Sequence, residues 1–233
     1  MEHLGAETAS IAAVKQTLYI HGIGDLLGRG RWKSLQDAGT ALPFDHELIW
    51  SRGDNTLIGV LAASEDGKGR DLYPLIALCH VRGYSLPSMI SPILSETRDS
   101  LSKLQATQSR DAAKRLMLGI QGRIRNTPPE AIELSQKDRE SFLDTDLMGP
   151  DRQGFRRILH VALAAAEFGN GNEARLQIRV PLCHVDAPQA YLLWQSLMQT
   201  IFGGDTLVLQ LRQRCSEFLD ILIGLPHADD FYC

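Results

Sequence analysis

The sequence predicts an α+β fold: a central, largely antiparallel sheet with an early three-strand meander, and helices packed on it as an α/β sandwich. Three observations carry this. Apolar runs at residues 46–52, 56–64 and 72–81 are separated by connections short enough for antiparallel hairpins. Beyond them the apolar spacing changes to steps of three and four, the period of a helix. Further strand-like runs then alternate with helical ones, which suggests a single sheet with its helices stacked against it.

In chain order, Ile11 and Val14 mark an amphipathic start, and Thr17-Leu18-Tyr19-Ile20 reads as a strand. Gly22, Gly24, Gly28 and Gly30 make a turn, and residues 32–37 leave room for a short helix. The meander at 46–81 follows, its connections being Gly53-Asp54-Asn55 and a glycine-bearing polar segment. Pro87 and Pro92 are expected to break the chain before a helix carrying Ile90, Ile93, Leu94, Thr97, Leu101 and Leu104. A second helix spans 110–124, with Ala113, Leu116, Met117 and Ile120 in register, and Pro128-Pro129 lies beyond its end. Residues 130–151 are polar and loop-rich. An apolar helix is expected at 154–168 and a strand at 174–185, where Leu176, Ile178, Val180 and Leu182 alternate. Pro188 opens a helix with Leu192, Leu193, Leu197 and Ile201, closed by Gly203-Gly204. A strand at 206–211 and a helix at 217–223 complete the reading, as one domain over 1–233 with a helical insertion at about 87–150.

Composition narrows the function. With 44% hydrophobic and 22% charged residues, the chain of 233 residues is ordinary for a globular protein. A net charge of -4 gives no electrostatic reason to expect nucleic acid, which needs a concentrated basic face. No uncharged apolar stretch reaches bilayer length, and Met1-Glu2-His3 does not begin a secretory signal, so a cytoplasmic location is expected. The cysteines, Cys79, Cys183, Cys215 and Cys233, form no CxxC pair. Cys79-His80 and Cys183-His184 invite a metal reading. Adjacent strand residues point to opposite faces, however, and buried thiols are the simpler account, so neither metal nor cofactor is expected.

The most informative segment is Ser64-Glu65-Asp66-Gly67-Lys68-Gly69-Arg70, set between two apolar runs. It reads as a polar turn in which Gly67 and Gly69 can take conformations other residues resist. Its pattern, Ser-x-Asp-x-x-Gly-Arg followed by Tyr73-Pro74-Leu75, resembles the core motif of the TagF family, proteins associated with bacterial type VI secretion systems. The strand Leu48-Ile49-Trp50, the step Gly24-Asp25-Leu26 and the closing Gly224-Leu225-Pro226 with Phe231 are similar to family features, over about residues 17–231. One additional residue lies between Arg70 and Tyr73-Pro74, and the glycine-rich start is shorter. The resemblance implies a cytoplasmic regulator that restrains assembly or firing of the apparatus post-translationally, with a forkhead-associated-domain protein among its partners. Ser64, Asp66, Gly69, Arg70, Tyr73 and Pro74 are the motif positions.

Asp66, Lys68, Arg70 and Trp50 are the candidate protein contacts. Asp66 and Arg70 fit recognition, or a turn in which Asp66 bonds backbone N–H groups and Arg70 braces the loop. Trp32, Trp50 and Trp194 are core anchors unless exposed, and His160 on its apolar helix is a core or boundary histidine. The alternative function is a small α/β-hydrolase. His21-Gly22-Ile23-Gly24 follows a strand as an oxyanion loop would, and Gly83-Tyr84-Ser85-Leu86-Pro87 approximates the nucleophile elbow. Pro87 replaces the small residue which that elbow requires. His227 as base and Asp186 or Asp205 as its partner complete no recognisable triad, so the residues favour a protein without catalytic activity.

Overall fold

The structure, a computed structural model, describes residues 5, 8–24, 44–64, 74–81, 86–107, 109–126, 160–164, 176–182 and 186–224. Its elements are α1 (Ala9–Val14), a π-helical continuation (Lys15–Gly24), β1 (Asp45–Arg52), β2 (Asn55–Ala62), β3 (Leu75–Val81), α2 (Leu86–Gln105) and α3 (Arg110–Asn126). β4 (Leu176–Pro181), α4 (Ala187–Phe202), β5 (Val208–Gln213) and β6 (Phe218–Ile223) follow. The six strands form one sheet in the order β3-β2-β1-β5-β6-β4, and every neighbouring pair is antiparallel. The fold class is therefore α+β, entered through the expected meander. Gly53, at φ 53°, supplies the left-handed residue in the tight turn joining β1 to β2.

Alternation along the strands divides the core between the two faces of the sheet. Ile49, Ile58, Val60, Val208, Leu219 and Ile221 face α2 and α4, where they meet Ile90, Ile93, Tyr191 and Trp194. Leu48, Trp50, Leu57, Leu61 and Leu209 face the other way and pack with Val14 and Leu18 of the N-terminal helical segment. Thr8 caps α1, accepting from the Ile11 N–H at 3.3 Å, and its hydroxyl bonds His80 Nδ1 on β3 at 2.8 Å. α4 begins similarly, with Asp186 accepting from the Gln189 N–H at 2.8 Å. α3 packs on α2.

Several expectations are corrected. Residues 17–20 are helical, because Val14 and Leu18 lie one wide turn apart and are both buried against the sheet. Residues 217–223 contain strand β6, in which Leu219, Ile221 and Ile223 alternate into the core beside β5 and β4. Pro92 does not break the chain; it lies inside α2, where burial of Met89, Ile90, Ile93 and Leu94 outweighs one missing backbone hydrogen bond. His160 is exposed. Of the helix expected at 154–168, residues 160–164 are described, and they are helical. The readings at 25–43 and 130–151 lie outside the described residues.

Candidate functional site

The antiparallel pairing of β2 with β3 starts at Ala62 opposite Leu75, so both ends of the motif-bearing connection leave from one end of the sheet. Its base is tethered there. The Ala63 N–H donates to the Phe44 carbonyl at 2.8 Å, and the Gln105 side chain at the end of α2 donates to the Ala63 carbonyl. Ser64 is half-buried and Pro74 buried. Asp66, Lys68, Gly69, Arg70 and Tyr73 lie outside the described residues.

The same end of the sheet gathers charge. Asp45 pairs with Ala62 in the ladder, and Glu47 lies opposite Val60 on one side and Arg212 on the other. Glu47 points toward α2 and α4, and its side chain is 2% exposed. Three groups converge on it: the Tyr191 hydroxyl donates to Oε2 at 2.8 Å, Arg212 Nη1 approaches the same oxygen at 3.2 Å, and Arg98 from α2 pairs with Oε1. Burial pushes the Tyr191 phenol up, against the pull of Arg212 and Arg98, so it is a hydrogen-bond donor throughout the physiological range. Gln210 continues the polar row, donating to Gln195 Oε1 at 2.9 Å and to the Tyr191 carbonyl at 3.2 Å. The row links β1, β5, α2 and α4. A buried carboxylate paired with two guanidiniums and bonded by a phenol suits a tie between helix and sheet better than proton transfer.

On the opposite face, Arg179 of β4 and Asp220 of β6 form a bidentate pair at 2.7 and 2.9 Å. Arg214 pairs with Asp45 at 3.1 Å, and the Asp45 N–H donates to His46 Nδ1 at 3.2 Å. Burial lowers the pKa of His46 from its ordinary 6.5, outweighing Asp45 and then Asp220, which raise it. As pH falls through 6.5 the unfolded chain therefore takes up the proton first, so stability declines from that point until the folded-state value is passed. Denaturant melts across this window are expected to show the decline, and His46→Asn to remove that component. An unchanged acid limb in the variant would discount the burial of His46.

Trp50 is 4% exposed in the second core, so it is an anchor and not a partner contact. Trp194 is fully buried, its indole N–H donating to the Pro181 carbonyl at 3.1 Å. Cys79 packs toward the α2 side while His80 faces Thr8, so these neighbours point apart; burial pushes the Cys79 thiol up. Among the described residues no group of three or more His, Cys, Asp or Glu side chains could hold a metal, and no helix is long and apolar enough to cross a membrane. Ser85, Cys183, His184 and His227 lie outside the described residues. Asp186 is engaged as the α4 cap, and the Asp205 carbonyl accepts from Arg52 Nε at 3.3 Å. Sequence reasoning missed Glu47, Arg98, Tyr191 and Arg212. The one available signal was a carboxylate at an inward position of an otherwise apolar strand. No family model, curated protein or solved structure matches the chain.

Proposed function

We propose that this chain is a non-catalytic regulatory protein that acts by binding protein partners, as a cytoplasmic component of a bacterial type VI secretion system. The observation that carries the reading is the β2–β3 pairing. It brings both ends of the motif-bearing connection to the end of the sheet where Asp45, Arg98 and Arg214 expose mixed charge. A connection rooted in a rigid sheet and bordered by charged side chains suits recognition. The TagF-like spelling of that connection supplies the pathway, and a forkhead-associated-domain protein is the first partner to test.

The hydrolase alternative draws less support. An α/β-hydrolase elbow follows a strand of a parallel, helix-wound sheet, whereas each strand pair among the described residues is antiparallel and β3, which precedes Ser85, lies at the end of the strand order.

Reversing both charges, Asp66→Lys with Arg70→Glu, is expected to weaken partner capture from native lysate while the circular dichroism spectrum is unchanged. Undiminished capture by the folded variant would remove the connection as the interface, and loss of the folded spectrum would assign Arg70 to bracing. Hydrolysis of acyl esters abolished by Ser85→Ala would overturn the non-catalytic reading altogether.

A further inference from the structure

We propose that the outward face of α3 is a docking surface for an acidic, amphipathic segment of a partner protein. This deepens the interaction-protein reading and rests on that part of it alone, independently of the secretion pathway.

The charge of α3 runs against that of the chain. Its sequence, RDAAKRLMLGIQGRIRN, holds five basic residues and one acidic residue in a protein of net charge -4. Its apolar stripe is already used: Ile120 is buried, Ile124 joins the main core, and Arg123 reaches back to Glu96 of α2 at 2.7 Å. The opposite side carries Leu118, 67% exposed, the most exposed large apolar side chain among the described residues. Residues three and four apart share a helix face, so Leu118 is bordered by Lys114 and Arg115 on one side and by Gln121 and Gly122 on the other. Arg125 lies a further turn along. Among the described residues no carboxylate pairs with Lys114, Arg115 or Arg125.

Helix stability does not account for this arrangement. Arg123 and Arg125 occupy the last turn, where the helix dipole favours cations. Lys114 and Arg115 lie toward the N-terminal end, where it does not, and Asp111 alone offsets them. Leu118 gains nothing from exposure. One apolar anchor flanked by Lys114 and Arg115, with which no carboxylate among the described residues pairs, has the form of an interface centre with a charged rim. A Cβ built on Gly122 would meet nothing within 4 Å, so the Gly122 side of Leu118 is open to close approach, whereas Gly5 lies beside Gln121 and Met117.

The chemistry of the occupant follows from the charge and the single anchor. A cationic face calls for an anionic partner. A membrane-surface helix would present a broad apolar face to lipid, but the apolar face of α3 is packed on α2. Duplex nucleic acid would call for a larger basic field than these cations make on an acidic chain. An acidic protein segment with an apolar residue to meet Leu118 satisfies both halves of the surface.

The test titrates the purified full chain with a labelled synthetic helical peptide of about four turns, with a Leu stripe flanked on the same face by Glu. The comparators are the same peptide with Gln in place of Glu, phosphatidylserine vesicles and a DNA duplex. Saturable binding of the Glu/Leu peptide is expected, weakening with added salt. It should fall by about ten-fold or more in Leu118→Ser and in the double variant Lys114→Glu with Arg115→Glu. Equal binding of the Gln peptide, tighter binding of vesicles or duplex, or indifference to both variants would overturn the proposal. If the double variant fails to fold, Leu118→Ser decides alone. The assay contains no secretion component, so its failure leaves the charge-reversal capture experiment as a separate test of the proposed function.

Discussion

Replacing Glu47 with alanine is expected to lower folding stability by about 3–5 kcal/mol, because it leaves two guanidiniums facing each other with no anion between them. Arg98 and Arg212 come from different elements, and Tyr191 from a third, so the carboxylate joins α2 and α4 to the centre of the sheet. Its removal also strands the buried Tyr191 hydroxyl. Domains of this kind are stable by only about 5–15 kcal/mol, so the loss is a large fraction of the whole. Arg179→Ala is the control: it removes an ion pair in which Arg179 is 53% exposed, and such pairs contribute about 0–1 kcal/mol. A second variant separates the cost of an orphaned charge from the worth of the pair. Changing Glu47, Arg98 and Arg212 together to apolar residues of similar size should recover much of the loss. Urea denaturation of the variants decides the matter, and a Glu47→Ala protein within about 1 kcal/mol of the parent would remove the tie from the account of stability.

How far the sequence could be read depended on whether the governing contact was local. The meander was legible because hairpin connections keep paired strands close in the chain, and α3 was legible because its apolar stripe is unbroken. Residues 218–223 were not. Leu219, Ile221 and Ile223 alternate as a strand should, but Leu222 is buried in the second core on the other face, which blurs the period. Thr17-Leu18-Tyr19-Ile20 has the composition of a strand, yet the packing of Leu18 with its helical neighbour Val14 settles it as helix. Pro92 shows tertiary burial overriding a local penalty. The ionic tie was the least legible feature, since residues 47, 98, 191 and 212 meet only after the sheet has formed. The charge of α3 was visible in the chain all along; what the fold added was the exposure of Leu118 in its midst.

Gly59→Ala is expected to destabilise the fold even though alanine is ordinarily the better strand residue. Gly in a strand interior costs about 0.5–1 kcal/mol relative to Ala, so propensity alone predicts a gain. Packing predicts the opposite sign. Gly59 lies in the middle of β2 between Leu48 of β1 and Leu78 of β3. A Cβ there would overlap the Ala77 carbonyl oxygen and come within 2.7 Å of Leu78 Cδ2. A side-chain tip can turn aside, but a backbone carbonyl in a ladder cannot without moving its strand. Overpacking of this kind costs about 1–3 kcal/mol, occasionally more, and here it must be met by β3 drawing away from β2. The net expectation is a loss of about 2 kcal/mol, or roughly 4–8 °C in melting temperature for a chain of this size. Gly122→Ala is the matched control, with open space around its Cβ, and there the propensity gain of about 0.5–1 kcal/mol should appear. Function should follow stability at Gly59, because β3 carries one root of the motif-bearing connection at Leu75. Its displacement is expected to weaken partner capture in the Gly59 variant. A Gly59→Ala protein melting at or above the parent temperature would show that β3 is not held at this spacing, and with it would go the rigid base assigned to the connection.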